Sequence, residues 1–200
     1  MSIKRNGVNP LLLQREARAL GASDAAIIQA EDIPVENAIV ELCRPPACPS
    51  YGTSANCPPF VMSPEDARTW ITEFEIALFF KIDVPPEILF TKEHNRPFRK
   101  IFQIASRLEQ RAAERGWTHT GGLGAGSCKS LFCPEKPCAA LENTGTCCFP
   151  DLARPSMEAV GINVFTLARI VGWPIHQILR TTDPHTIPAA MIAGMVLLRA

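Results

Sequence analysis

The sequence predicts an α+β fold: one compact domain in which packed helices cover a small mixed sheet, with two cysteine-bearing, metal-binding loops. Three observations predict it. Phe98, Ile101, Ala105, Leu108 and Ala112 repeat at helical spacing, with Arg and Glu between them and Gly116 at the end. Residues 76–84 are an almost unbroken apolar run, as a buried strand requires. The cysteines gather in two stretches whose Pro, Gly and Ser content forbids regular structure.

In chain order, 11–20 reads as a short helix ending at Gly21. Residues 25–30 and 38–42 read as short strands, with turn signals at Asp32 and Pro34, and the second runs into Cys43. A loop occupies 43–60. Ser63 caps the next helix, Pro64 suits its first position, and Glu65 and Asp66 favour its positive end. Ala67, Trp70, Ile71 and Phe74 make its apolar face. The strand 76–84 stops at Pro85-Pro86. After the 98–112 helix, 117–123 is a strand feeding the second cysteine loop, 121–155. Asn163 caps a helix through Val164, Leu167, Ile170 and Val171, closed by Gly172. Residues 175–179 and 189–198 are expected to pair as terminal strands. No repeat appears, and 1–200 reads as one domain.

Composition narrows the function. Twenty Lys and Arg balance twenty Asp and Glu, which argues against a polyanion-binding surface and so against nucleic acid as partner. With 46% apolar residues the chain builds an ordinary core without covalent staples. No segment reaches the roughly 18 apolar residues that span a membrane. Lys4 and Arg5 precede only Leu11-Leu12-Leu13, too short for a signal peptide, so a cytoplasmic protein is expected.

In a reducing cytosol, clustered cysteines are metal ligands or catalytic thiols more often than disulfides. Cys43, Cys48 and Cys57 form one block; Cys128, Cys133, Cys138, Cys147 and Cys148 form the other, 70 residues further on. All eight are candidate cofactor ligands. Cys43, Cys48, Cys57, Cys128, Cys133, Cys138 and Cys147 are the candidate metal ligands. A cubane cluster takes thiolates from several directions, so irregular ligands on loops suit it. Structural zinc favours Cys-x-x-Cys knuckles, and neither block has one. The reading is therefore one or two 4Fe–4S iron–sulfur clusters, with zinc as the alternative cofactor. Prolines beside Cys48, Cys57 and Cys133 stiffen the loops, and Gly122, Gly124 and Gly126 would let amides approach cluster sulfurs. Three arrangements fit: a cluster in each block with Cys148 completing the first, a first block with a non-cysteine ligand or an open iron, or metal in the second block alone.

The run Cys43-x4-Cys48-x2-Tyr51-Gly52-x4-Cys57-Pro58-Pro59 resembles an uncharacterised prokaryotic family of predicted metal-binding proteins. So do Leu123-Gly124-Ala125-Gly126, the cysteines at 128, 133, 138 and 147, and the stretch Ala153-Arg154-Pro155-Ser156-Met157-Glu158-Ala159. The resemblance spans about 38–172 and implies cysteine-ligated metal, iron–sulfur foremost, in a largely anaerobic setting. It implies no reaction. Two positions depart from it: Cys148 stands where the family tends to have Arg, and Ser127 where it tends to have Pro.

Other features carry less. The stretch 121–126 is glycine-rich but lacks the Lys-Ser/Thr of a P-loop at its place and is expected to run into a loop. His94, His119, His176 and His185 are isolated, though any could supply a fourth ligand to the first block. Arg154 either forms an ordinary ion pair or balances an anionic cluster. Tyr51, the sole tyrosine, is expected to pack beside the first block. Three functions follow: an electron-transfer protein or redox accessory with a redox protein partner, an enzyme using an open iron at the first block, and a zinc-stabilised interaction module.

Overall fold

A computed structural model describes residues 9–142 and 145–200. Lys4, Arg5 and positions 143–144 of the second cysteine loop lie outside the described residues. The elements run α1 (Pro10–Ala19), β1 (Asp24–Gln29), α2 (Asn37–Glu41), α3 (Pro64–Ile71), β2 (Ile76–Val84), α4 (Asn95–Glu114), β3 (His119–Leu123), α5 (Cys128–Phe132), α6 (Val164–Ile170) and β4 (Ala190–Arg199). The fold is α+β. Its sheet has the order β1-β2-β4-β3 and is antiparallel at every pairing, rather than mixed; one isolated parallel bridge joins Gly124 to Ser156.

β2 and β4 form the centre, in register from Ile76 opposite Leu198 to Val84 opposite Ala190. Both are apolar along nearly their whole length because the sheet is covered on two faces. Successive side chains point to opposite sides. Leu78, Phe80, Val196 and Leu198 meet Leu13 of α1 and Ile101, Ile104 and Leu108 of α4. Ala77, Phe79, Met195 and Leu197 meet Ile71 of α3, Leu167 of α6 and the buried Met157 and Ile162. A smaller cluster joins Phe102 of α4 to Cys128 and Leu131, and so seats the second cysteine loop on that helix.

The helix ends follow their signals. Ser63 and Asp66 form a reciprocal capping box at α3, and the Asn163 side chain accepts from the Thr166 N–H at 3.1 Å at α6. Two expected strands are corrected. Residues 38–42 lie in and just after the helix α2 and pair with no strand of the sheet; Ile39 and Leu42, three apart, both face one cavity. Residues 175–179 form no strand, because β4 already has β2 on one side and β3 on the other.

Candidate metal centres

The first loop starts where α2 ends, with the Cys43 N–H donating to Val40 O at 2.9 Å. Five prolines at 45, 46, 49, 58 and 59 lack the N–H of a regular element, so the chain advances by turns. The Cys57 N–H donates to Ser54 O at 3.0 Å, and the Gly52 N–H crosses the loop to Pro58 O at 2.8 Å. Arg68 of α3 fastens the loop's two ends: its guanidinium donates to Val35 O at 3.1 Å and to Asn37 Oδ1 at 2.7 Å. Cys43, Cys48 and Cys57 line one cavity of about 510 Å³, together with Tyr51, Glu158 and His176.

The second loop leaves β3 through Gly126, whose φ of +71° turns the chain into α5. Arg99 of α4 holds Leu131 O at 2.8 Å, and the Lys129 ammonium donates to Cys133 O and to Pro134 O. At the far end Arg154 pairs with Glu109 of α4 at 2.7 Å and also donates to Pro150 O and Ala153 O. Cys128, Cys133, Cys138, Cys147 and Cys148 line a second, smaller cavity of about 200 Å³. Grouping along the chain is thus grouping in space.

The cavities share a wall. Ser127 and Cys57 face the first, and the Ser127 hydroxyl lies 3.3 Å from Cys57 Sγ. Their neighbours Cys128 and Asn56 face the second, where Asn56 Nδ2 donates to Cys128 Sγ at 3.4 Å. Ser54 Oγ is also 3.4 Å from Cys128 Sγ. Each loop therefore lends hydrogen bonds to a thiol of the other. Cys57 and Cys128, at this junction, are buried; Cys148, on the rim, is exposed.

The thiols differ in acidity. Burial pushes the Cys43 thiol up to about 11, and neighbouring Cys48, Glu158 and Cys57 add to the shift. Burial raises Cys57 and Cys133 too; Cys57 is partly relieved by Ser127, while Cys133 is raised further by the surrounding thiols. Burial also opposes ionisation of Cys138, but hydrogen bonds from the backbone of Ala55, Ala140 and Leu141 and from the Ser54 hydroxyl outweigh it and hold this thiol low. Burial raises the Glu158 carboxyl against bonds from its own backbone and Ser156.

Several expectations change. Gly122 and Gly124 do not offer their amides to sulfur, since the first donates to Glu109 Oε1 at 2.9 Å and the second to Pro155 O at 2.8 Å. The glycine stretch leads into a short helix, not a loop, yet with those amides engaged it offers no phosphate cradle. Arg154 serves the Glu109 pair. Of the histidines His176 lines the first thiol cavity; His94 bonds Thr91 O, His119 sits beside Glu73 and stacks on Phe74, and His185 sits beside Glu87, away from the cysteines. Sequence reasoning gave no role to Glu158, Ser54, Asn56, Ser127 or Lys129. Asn56, Ser127 and Lys129 carried one signal, their positions next to Cys57 and Cys128, and Glu158 lay within the stretch that carries the family resemblance.

The model of the DUF2284 family, predicted metal-binding proteins, matches residues 26–198. The chain belongs to this family. No curated protein and no solved structure matches it. A DUF2284 chain with this donor set would hold metal through sulfur: five thiols at the second cavity, three thiols with an adjacent carboxyl at the first. Among the described residues no three His, Cys, Asp or Glu side chains converge as a single-ion site, and no helix is long and apolar enough to cross a membrane.

Proposed function

We propose that the two cysteine blocks bind iron–sulfur clusters, 4Fe–4S being the expected type, and that the protein moves electrons or serves as redox accessory to a larger anaerobic system. The observation that carries this is the placement of the thiols: they ring two cavities separated by a shared wall, instead of converging on one ion. A structural zinc needs four donors about 2.3 Å from a single point. A cluster is larger and takes ligands from several directions.

When bound, a cluster supplies a one-electron couple. Everything else belongs to the chain. Cys128, Cys133, Cys138 and Cys147 or Cys148 would hold the second cluster, with Cys43, Cys48 and Cys57 at the first. Asn56 donates to the Cys128 sulfur, and against metal-bound thiolates the Ser54 and Ser127 hydroxyls would donate as well, so tuning the basicity of the ligands. The junction at Cys57, Ser127 and Cys128 is a covalent and hydrogen-bonded route between the cavities. Exposed Cys148 brings the second cavity's rim to the surface, where a redox protein partner in the cytoplasm would approach. The test is iron, zinc and acid-labile sulfide per chain after strictly anaerobic purification. Roughly four or eight irons with matching sulfide is the expected result. Zinc without sulfide would overturn the reading and leave a zinc-stabilised interaction module.

The size and apolar lining of the first cavity favour a second reading, an enzyme that uses an open iron there. Small ligands should then perturb the cluster spectrum. This reading loses its basis if none does so while Cys57→Ala leaves every cluster intact.

A further inference from the structure

The first block supplies three thiols, and Cys148, which one of the sequence arrangements assigned to it, lines the second cavity with the other four. A fourth ligand from this chain, where the first site has one, comes from within the first cavity. Glu158 stands there on the elements best placed to deliver it. It opens a short 3-10 turn, Glu158–Val160, anchored by fully buried Met157 before it and buried Ala159 and Val160 within it. Gly161, at φ +89°, closes that turn, and its carbonyl accepts the Glu36 N–H at 2.7 Å. The turn packs against α2, the helix that ends two residues before Cys43. Carboxyl and first thiol are therefore positioned by two elements packed on each other. His176, the other candidate, lies on an irregular segment.

Charge points the same way. No Lys or Arg lines this cavity, and among the described residues Glu158 forms no ion pair. A carboxyl held among apolar walls without a cation is costly. A cation arriving with the bound metal removes that cost. Resting on the metal-binding reading above, we infer that Glu158 is the oxygen ligand that completes the first site with Cys43, Cys48 and Cys57, so that the two sites differ in kind.

Wild type, Cys43→Ala, Glu158→Ala, Glu158→Cys and His176→Ala are loaded anaerobically with iron and sulfide. Metal and sulfide per chain and the electron paramagnetic resonance of the reduced protein are then measured, with circular dichroism as the folding control. The expected result is that Glu158→Ala alters or removes the same signal that Cys43→Ala removes and leaves the other intact. Glu158→Cys should restore full metal content with a changed signal, which a merely structural glutamate would not do. His176→Ala should change nothing. An unchanged first-site signal in Glu158→Ala would overturn the inference, as would transfer of that effect to His176→Ala. If wild type takes up zinc alone, the iron–sulfur reading fails by itself. Zinc content then decides the carboxyl: loss of the Cys43-dependent zinc in Glu158→Ala supports it, and unchanged zinc overturns it. If Cys43→Ala removes no metal of any kind, both fall.

Discussion

The two cavities stand on either side of one wall and differ in size, in the number of thiols and in charge. The first is large, mostly apolar and without a lysine or arginine, and burial pushes its Cys43 and Cys57 thiols away from ionisation. The second is less than half that volume, carries five thiols, and has Lys129 in its lining and backbone N–H groups turned on Cys138. At Cys138 the second is therefore prepared for negative charge before any metal arrives, although burial raises Cys133 beside it; in the first, Cys43 and Cys57 have no such preparation. A site prepared in that way suits stable retention of an anionic thiolate centre. The first leaves room for something besides metal.

The largest expected effect tests whether the second site holds up its own loop. Cys128 is buried against Phe102 and Leu131, so Cys128→Ala removes a ligand and an anchor together. Structural metal contributes on the order of 10 kcal/mol to folding of small sites, and each 1 kcal/mol is worth roughly 2–4 °C in a chain of this length. A fall in the unfolding midpoint of roughly 10 °C or more is expected for the metal-loaded protein. Cys43 belongs to no buried cluster, and Cys43→Ala should lower the midpoint by less. Equal falls in calorimetry would erase the distinction between the sites.

Arg154→Ala comes next. It leaves Glu109, 14% exposed, with a mostly buried charge and no partner of opposite sign. Stripping one partner from a buried pair costs about 3–5 kcal/mol; some remaining exposure brings the expectation to about 2–3 kcal/mol. Because Arg154 fastens the end of the second loop alone, metal at that site should become easier for a chelator to remove, while first-site metal is unaffected. Urea unfolding and chelator kinetics read the two effects separately. Faster loss from both sites would mean the loops behave as one unit.

The same contrast governs thiol chemistry in the metal-free protein. With the Cys43 thiol near 11, about one chain in a thousand carries its thiolate at pH 8. Cys138, held below the ordinary range, should be alkylated by iodoacetamide well before it, as peptide mass spectrometry would resolve. The sign for stability follows. Folded Cys43 keeps its proton at pH values where the unfolded thiol, with its ordinary pKa near 9, has lost it. Its contribution is complete below that value and disappears as pH rises through about 11. Alkylation of Cys43 ahead of Cys138 would contradict the environments described here.

How much of this was legible in the chain depended on how local each cause was. The strand β2 was readable to the residue, 76–84, because a strand covered on both faces needs no alternation, only an apolar run between breakers. The capping box at Ser63 and the long stripe of α4 were equally local. Residues 38–42 misled because Ile39 and Val40 look β-forming, whereas the deciding feature was the three-residue spacing of Ile39 and Leu42 toward a cavity. The two thiol groups could be read from clustering alone. Glu158 could not, since its approach to Cys43 depends on a buried turn packing on α2. Nor could the partnership of Cys57 with Ser127, which joins positions 70 residues apart.

That partnership gives the finest test. A metal-bound thiolate can only accept, so with metal in place Ser127 must donate to Cys57 Sγ, and Ser54 to the thiols of the second cavity. A hydrogen bond to ligand sulfur stabilises the more negative, reduced state. Ser127→Ala should therefore lower the potential of the first centre by about 40 mV, which is about 1 kcal/mol for one electron, and leave the second unmoved. Ser54→Ala should do the reverse. Redox titration followed by two spectroscopic signals separates them. If each variant shifted both centres equally, the wall at Cys57 and Cys128 would be no boundary, and the eight thiols would have to be treated as one site.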